Sequence, residues 1–394
     1  MTEQMPVQFF QAAHASGDDW KSALTACLQD LDPLDDANLG ILYVTEPLAP
    51  HFSSVLLGLK AATDIDQWVG AVGLGICGIG RHQQQMQSGE YFEEAAISVM
   101  TVRLPENAFD ILPTIDTLDD FSGVGKPTND NIIGNPGGPG VLDGIPFLLL
   151  HGDSHNPDVL SLVSQIAEQT EGFLVGGLTV SETADHHVAG RLTGGGVSGI
   201  AFSPDINVAT AVTQGCGPIG KVHEVTDCAD NIIAALDGES ALNVFKEDIG
   251  IELAADLRQL VGNIHVALPV VGSDTGDYVV RNLIGVDMER GLLALGEPVD
   301  KGDRLFFVSR DADAARQDLI AMTTRLKKRS GGTPKAGLYV SCIARGPQMF
   351  SDENSEIELI RLILGDIPLV GVYLNGEISN NRLYTYTGVL TLFN

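Results

Sequence analysis

The sequence predicts an α/β protein, α+β-like in character, built as two packed halves whose mixed, largely antiparallel sheets carry helices on their faces. Three observations predict it. An order of elements, strand, helix, strand, strand, recurs three times along the chain. A composition of 44% hydrophobic against 19% charged residues over 394 positions supplies packed cores, at a length that exceeds what one core usually supports. The second strand of each copy carries the same Val-Gly dipeptide.

Residues 1–37 read as a helical lead-in, with Trp20, Leu24, Cys27, Leu28 and Leu31 on one face of a helix. Residues 38–220 and 221–394 are the two expected halves. The first repeat runs from strand Leu39–Val44 through a helix after Pro50 to Trp68-Val69-Gly70-Ala71-Val72, and on to Ala95–Val102. The second runs Phe147–Leu150, helix Pro157–Glu168, strand Phe173–Gly177 and strand Val197–Phe202. A strand at Val208–Thr213 follows, and a helix beginning near Asp311 closes on the basic run Arg325–Arg329, where cations favour the negative end of its dipole. The third repeat is the C-terminus: Leu338-Tyr339-Val340, a polar loop, an amphipathic helix Asn354–Leu364, strand Ile367–Leu374, and a final strand Tyr384–Phe393. Asn375-Gly376 has hairpin-turn chemistry. Each second strand carries Val-Gly: Val69-Gly70, Val175-Gly176 and Val370-Gly371. The stretch Phe121–Gly144, rich in Gly, Pro, Asn and Asp, reads as a long loop of the kind that serves as a lid, a binding loop or a disordered segment.

Charge excludes several functions. Fifty-two acidic against 23 basic residues give a net charge of -29, which disfavours a surface that tracks nucleic-acid phosphates or anionic membranes. Apolar runs are too broken to insert into a membrane, and the first twenty residues lack a secretory pattern, so a cytoplasmic protein is expected. Cys27, Cys77, Cys216, Cys228 and Cys342 are scattered, without the spacing of a disulfide framework or zinc knuckle.

Several groups carry chemistry. Gly73-x-Gly75-x-x-Gly78 matches the dinucleotide fingerprint by letter, yet it leads into polar Arg81-His82-Gln83 rather than an apolar helix, so close backbone packing is the better reading. His151, Asp153 and His155 at the end of a strand have the donor types of a metal or acid–base site, although Asp153 also suits a helix cap. His186 and His187, adjacent in sequence, point opposite ways on an extended chain and read as surface loop. Arg345, in a Gly-Pro loop after a strand, suits bidentate recognition of a carboxylate, or neutralises Glu377 or Asp352. Glu377, past Asn375-Gly376, suits an ammonium; with Cys342 and Gly346 these residues form the sharpest ligand-site candidate, matched to a zwitterion. No Gly-x-Ser-x-Gly or His-Glu-x-x-His motif singles out an enzyme, and the enzyme class stays open.

One stretch carries a family resemblance: Gln214-Gly215-Cys216-Gly217-Pro218-Ile219-Gly220, then Val225-Thr226, Asn231-Ile232-Ile233, Leu236-Asp237-Gly238 and Ala241-Leu242. Cys342-x-x-Arg345-Gly346, Ile367-Pro368-Leu369-x-Gly371, Gly376-Glu377-Ile378 and Thr387-Gly388-Val389-Leu390 extend it. In this order they resemble the FIST domain proteins, from about Leu39 to the C-terminus. Cys216 and Val372 depart from the pattern, standing where a bulky or basic residue and an aromatic are expected. The resemblance implies a bacterial sensory module for a small ligand, an amino acid or related metabolite, that signals through a separate polypeptide. Some members are similar in layout but bind haem, sense nitric oxide and act on a histidine kinase. A haem here requires an axial ligand such as His223, while His265 in an apolar strand reads as core. A homo-oligomer is compatible with all of this.

Overall fold

The computed structural model describes residues 8–83, 85–121, 146–250, 263–270, 277–350 and 355–394. The expected loop Phe121–Gly144 lies outside the described residues except for its first. The chain forms two compact units. One comprises Met1–Thr213, Leu319–Leu383 and Thr387–Asn394; the other comprises Gln214–Asp318 with Tyr384–Tyr386.

The first unit holds two sheets. In the large sheet the path runs β11 (Arg191–Thr193), β10 (His187–Ala189), β3 (Trp68–Gly73), β2 (Leu39–Thr45), β6 (Ala95–Arg103), β1 (Phe9–Gly17), β4 (Gly75–His82), β22 (Leu369–Leu374), β21 (Ala336–Cys342), β25 (Thr387–Phe393) and β13 (Val208–Gln214). β5 (Gln85–Tyr91) pairs with β4 off this path. The smaller sheet runs β24 (Arg382–Tyr384), β23 (Glu377–Ser379), β9 (Phe173–Thr179), β8 (Phe147–Asp153), β12 (Val197–Phe202) and β7 (Phe109–Ile115). Alternation along the strands divides the apolar residues between layers. Ile41, Tyr43, Leu338, Val340, Val370 and Val372 of the large sheet share one core with Phe147, Leu149, Val175 and Ile200 of the smaller. The opposite face of the large sheet is covered by the helices Trp20–Asp30 and Phe52–Thr63, and that of the smaller by the helix Val159–Thr170. Helices thus enclose two sheets packed face to face.

The threefold pattern is present in the pairing. β2 is parallel to β3 and antiparallel to β6, β8 is parallel to β9 and antiparallel to β12, and β21 is parallel to β22 and antiparallel to β25. The Val-Gly dipeptides occupy one register: Gly70 faces Leu42, Gly176 faces Leu150 and Gly371 faces Tyr339. A Cβ on Gly70 or Gly176 would stand 1.7 or 1.8 Å from the facing carbonyl oxygen, with φ of +150° and +146°. Only glycine lets the two strands close at that point.

Two expectations about the C-terminus are corrected. Asn375-Gly376 is not a hairpin turn: β22 lies in the large sheet and β23 in the smaller, so the dipeptide carries the chain between layers. Gly376 takes φ +114°, and the Asn375 N–H donates to Leu178 O while Gly376 O accepts from Leu178 N. The tight turn lies later, between β23 and β24, where Asn380 takes φ +58°. The single strand expected over Tyr384–Phe393 is two, β24 and β25. Strand β1, within the expected helical lead-in, was not legible because FFQAAHASG has small residues where a strand pattern needs large ones.

The second unit is a closed antiparallel barrel. β14 (Cys216–Ala229), β20 (Arg304–Arg310), β17 (Ile264–Pro269), β18 (Tyr278–Asp287), β19 (Leu292–Leu295) and β15 (Ile232–Leu236) pair in that order, and β15 returns to β14; β16 (Glu239–Ser240) extends β15. The fourteen-residue β14 makes closure possible by pairing first with β20 and then with β15. Its register shifts between Ile219 and His223, where Gly220 takes φ +69°, a bulge that bends the strand around the barrel. The Gly-Pro-Ile-Gly motif is therefore a device for closure. Phe245 of the helix Ala241–Ile249 and Phe307 meet in the core, with ring centroids 4.9 Å apart.

Candidate functional site

The C-terminal repeat builds a buried polar group at the carboxyl ends of the parallel pair β21 and β22, the place where a crossover helix and strand ends form a binding crevice in α/β sheets. Alternation on β21 sends Leu338 and Val340 into the core between the sheets and leaves Tyr339 and Ser341 on the other face. There they meet Glu356, the first residue of the helix Glu356–Leu364, which Ser355 caps by accepting from Glu358 N. Tyr339 Oη and Ser341 Oγ each donate to the Glu356 carboxylate at 2.8 Å.

After β21 the chain turns through Ile343–Arg345 as a single 3-10 turn and delivers Arg345 to the same carboxylate. Arg345 Nε and Nη2 both donate to Glu356 Oε1, at 2.8 and 2.6 Å, and neither side chain is exposed. Phe350 lies under the guanidinium, 5.4 Å from its carbon to the ring centroid. Burial opposes the guanidinium charge, but Glu356 beside it holds the pKa above the usual arginine value. The ion pair expected between Arg345 and Glu377 is thus corrected: its carboxylate is Glu356, which the helix brings within reach and the sequence reading did not single out. The alternative partner Asp352 lies outside the described residues. The signal was the polar pair Tyr339 and Ser341 on alternate positions of an otherwise apolar strand.

Glu377 is fully buried at the start of β23. Its Oε2 accepts from Thr387 Oγ1 at 2.7 Å and Thr387 N at 3.3 Å. Burial pushes its pKa up to about 8, against the opposing pull of Thr387, of the Arg345 charge and of the Cys342 side chain. Two atoms of this pair of residues stand without a hydrogen-bond partner: Arg345 Nη1 and Glu377 Oε1. One is a donor and the other a carboxyl oxygen. A buried polar atom left open costs stability on the order of 1–3 kcal/mol, more when charged, which marks a place for a ligand or water.

The other residues of the C-terminal candidate frame this group. Cys342 is buried at the end of β21, and Gly346 is buried against Phe92, to whose ring a Cβ would come within 2.9 Å. Asn375 is exposed and bound only through its backbone. Nearby, Glu90 Oε1 accepts from Ile357 N at 2.8 Å and so closes the helix N-terminus; burial pushes Glu90 up to about 7. The Gly73, Gly75 and Gly78 fingerprint lies in or between β3 and β4, and side chains on Gly73 and Gly75 would meet Val372 and Phe92 at 2.4 and 2.5 Å. The close-packing reading is the one the geometry fits.

The first unit holds a second polar group around β8. His151 Nε2 meets Tyr43 Oη at 3.1 Å while its Nδ1 is open, and burial lowers its pKa to about 3. Asp153 receives His155 Nδ1 at 3.0 Å and stands 3.5 Å from His186 Nε2. His186 and His187 are not a surface loop: both are buried, with ring centroids 4.5 Å apart, because β10 adds His187 to the large sheet beside β3. His187 Nε2 meets Thr179 Oγ1 at 2.8 Å. Among the described residues no group of three or more ligating side chains is placed to hold a metal ion.

In the second unit, Cys216 opens β14, buried. His223 is clamped by Asp237 on Nδ1 and Asp248 on Nε2, both at 2.8 Å. With each ring nitrogen engaged by a carboxylate, His223 does not fit the axial ligand of a haem. His265 is buried in β17 against Tyr386, ring centroids 4.5 Å apart.

A mixed α/β protein with an enclosed, charged and incompletely satisfied group at the ends of a parallel strand pair is the class these features define. The chain belongs to the FIST family: the FIST N domain matches residues 38–239 and the FIST C domain residues 241–380. That family is associated with small-ligand sensing in signal transduction. The chain is similar to an uncharacterised protein of Mycobacterium tuberculosis, 33% identical over 203 residues that cover 48% of this chain and 52% of the relative. It is also similar to an uncharacterised protein of Mycobacterium bovis, 32% identical over 234 residues that cover 56% of this chain and 59% of the relative. The chain therefore spans just over half the length of these curated relatives. Among the described residues no helix is long and apolar enough to cross a membrane.

Proposed function

We propose that this chain is a sensory module that binds a small zwitterion, an amino acid or related metabolite, between Arg345 and Glu377, and passes the bound state to a separate signalling protein such as a histidine kinase. The observation that carries the reading is the pair of buried open atoms, Arg345 Nη1 and Glu377 Oε1. A ligand carboxylate suits the guanidinium nitrogen, and a ligand ammonium suits the carboxyl oxygen. Glu356 holds the remaining face of Arg345, so the open nitrogen is aimed rather than free to rotate. Thermal-shift measurements on the full chain against the proteinogenic amino acids test it. A subset should raise the melting temperature, and Arg345→Lys and Glu377→Gln should each abolish that rise. Stabilisation that survives both substitutions overturns the assignment.

A further inference from the structure

The Glu377 carboxyl is asymmetric in a way that the zwitterion reading does not by itself explain. Oε2 accepts two donors from Thr387 and the Cys342 thiol lies beside the carboxyl, whereas Oε1 is buried from solvent and accepts no hydrogen bond of ordinary geometry among the described residues. An ionised carboxylate would leave Oε1 uncompensated out of water, at a cost that buried charges usually avoid by taking a proton. The nearby Arg345 guanidinium pulls the Glu377 pKa down without offsetting burial, since its Nε and Nη2 are held by Glu356 and its charge is shared with that carboxylate. Among the described residues no second cation acts on Glu377. β21 brings the Cys342 thiol, β25 brings Thr387, and the 3-10 turn brings Arg345. β9 brings Gly177, paired opposite Glu377 and without a side chain, and Leu383 of β24 packs on Gly376. Beyond Arg345 stands a further acid, Glu356. The proton therefore belongs on Oε1, the oxygen that Thr387 leaves unbonded.

Resting on the zwitterion reading, we propose that the ligand ammonium replaces a proton carried by Glu377 Oε1, so that ligand uptake releases one proton and occupancy of the site is coupled to pH. The balance is simple: a neutral carboxylic acid and an alkylammonium become a carboxylate–ammonium pair, and one proton leaves to the solvent. The raised pKa of about 8 agrees with the geometry and places the coupling across neutral pH. Below that value affinity rises about tenfold per pH unit, one proton being exchanged per ligand, and above it the dependence flattens. A site that recognised only the carboxylate would show no such slope.

Glycine, the zwitterion common to all α-amino acids, is the probe, with acetate as its amine-free counterpart. Titration calorimetry of the full chain at pH 6.5 in two buffers of different ionisation enthalpy counts the protons. About one proton released per glycine, and none per acetate, is expected. Infrared difference spectra give a readout that does not depend on a variant folding: the carboxylic-acid C=O band should vanish when glycine binds, and Glu377→Gln should lack that band from the start. Glycine binding with no proton released and no band lost overturns the exchange while leaving the zwitterion reading intact. If larger amino acids stabilise the chain where glycine does not bind, the tightest of them is held to the same two measurements, and no proton released with no band lost overturns the exchange. No binding by any amino acid removes the zwitterion reading and the exchange together.

Discussion

Arg345 is the residue on which the site's stability and its binding chemistry meet. Two of its three nitrogens hold a buried carboxylate and the third is open, so its removal acts in two ways. Arg345→Ala leaves Glu356 buried beside Tyr339 and Ser341 with no cation, and should lower stability by roughly 3–5 kcal/mol in urea unfolding, the usual effect of breaking a buried pair. Adding Glu356→Gln to that variant should restore part of the loss, because no unpaired charge then stays inside. If the double variant is no more stable than the single one, the pair is not what holds this corner. The sequence made Arg345 and Glu377 conspicuous through their loop positions. It hid Glu356, which stands among apolar helix residues and becomes a partner only when the helix folds back on β21.

The second strand of each repeat depends on a glycine at one position. The facing carbonyl at Gly70 and Gly176 lies within 2 Å of where a Cβ would sit, and both take positive φ. Gly70→Ala or Gly176→Ala should each cost about 3 kcal/mol or more, as steric strain and a forbidden conformation add. Gly332→Ala, at a position with open space around it, should be nearly neutral under the same chemical denaturation. Equal effects at all three sites would mean that the register is not the constraint. This device was legible: the Val-Gly dipeptides recur in the sequence, and elementary sterics says why. The Asn375-Gly376 dipeptide was legible only as a turn, because the same local chemistry serves a hairpin and a crossing between sheets, and pairing partners decide which.

At the scale of the first unit, buried titratable groups set how stability follows pH. Burial lowers His14 to about 4, His151 to about 3, and His187 well below its ordinary 6.5. It also raises Glu90 to about 7 and Glu377 to about 8 from 4.5. Between pH 4.5 and 6.5 the unfolded chain holds protons on these three histidines that the native unit refuses, while the native unit holds two on the glutamates that the unfolded chain has lost. Three against two leaves one extra proton on the unfolded side, so stability rises with pH by about 1.4 kcal/mol per unit. Between 6.5 and about 8, of these five groups only the glutamates differ, and stability falls as pH rises. Urea midpoints measured across pH should peak near 6.5; a monotonic profile would contradict these environments. A ligand that pairs with Glu377 should move this maximum to higher pH.

The sequence by itself determined the class of fold, the threefold strand–helix–strand order, the glycines that let paired strands close, and the family to which the chain belongs. These are local matters: side-chain period, turn chemistry and steric size act over a few residues and need no knowledge of what lies opposite. Only the tertiary structure decided which carboxylate Arg345 takes, that His186 and His187 are buried, that β14 closes a barrel, and that Arg345 Nη1 and Glu377 Oε1 are left open. Each depends on groups distant along the chain being brought to within hydrogen-bonding range, and a hydrogen bond's strength falls away over less than 1 Å of misplacement. The pattern of the chain chose the scaffold, and the register between its sheets and helices chose the site.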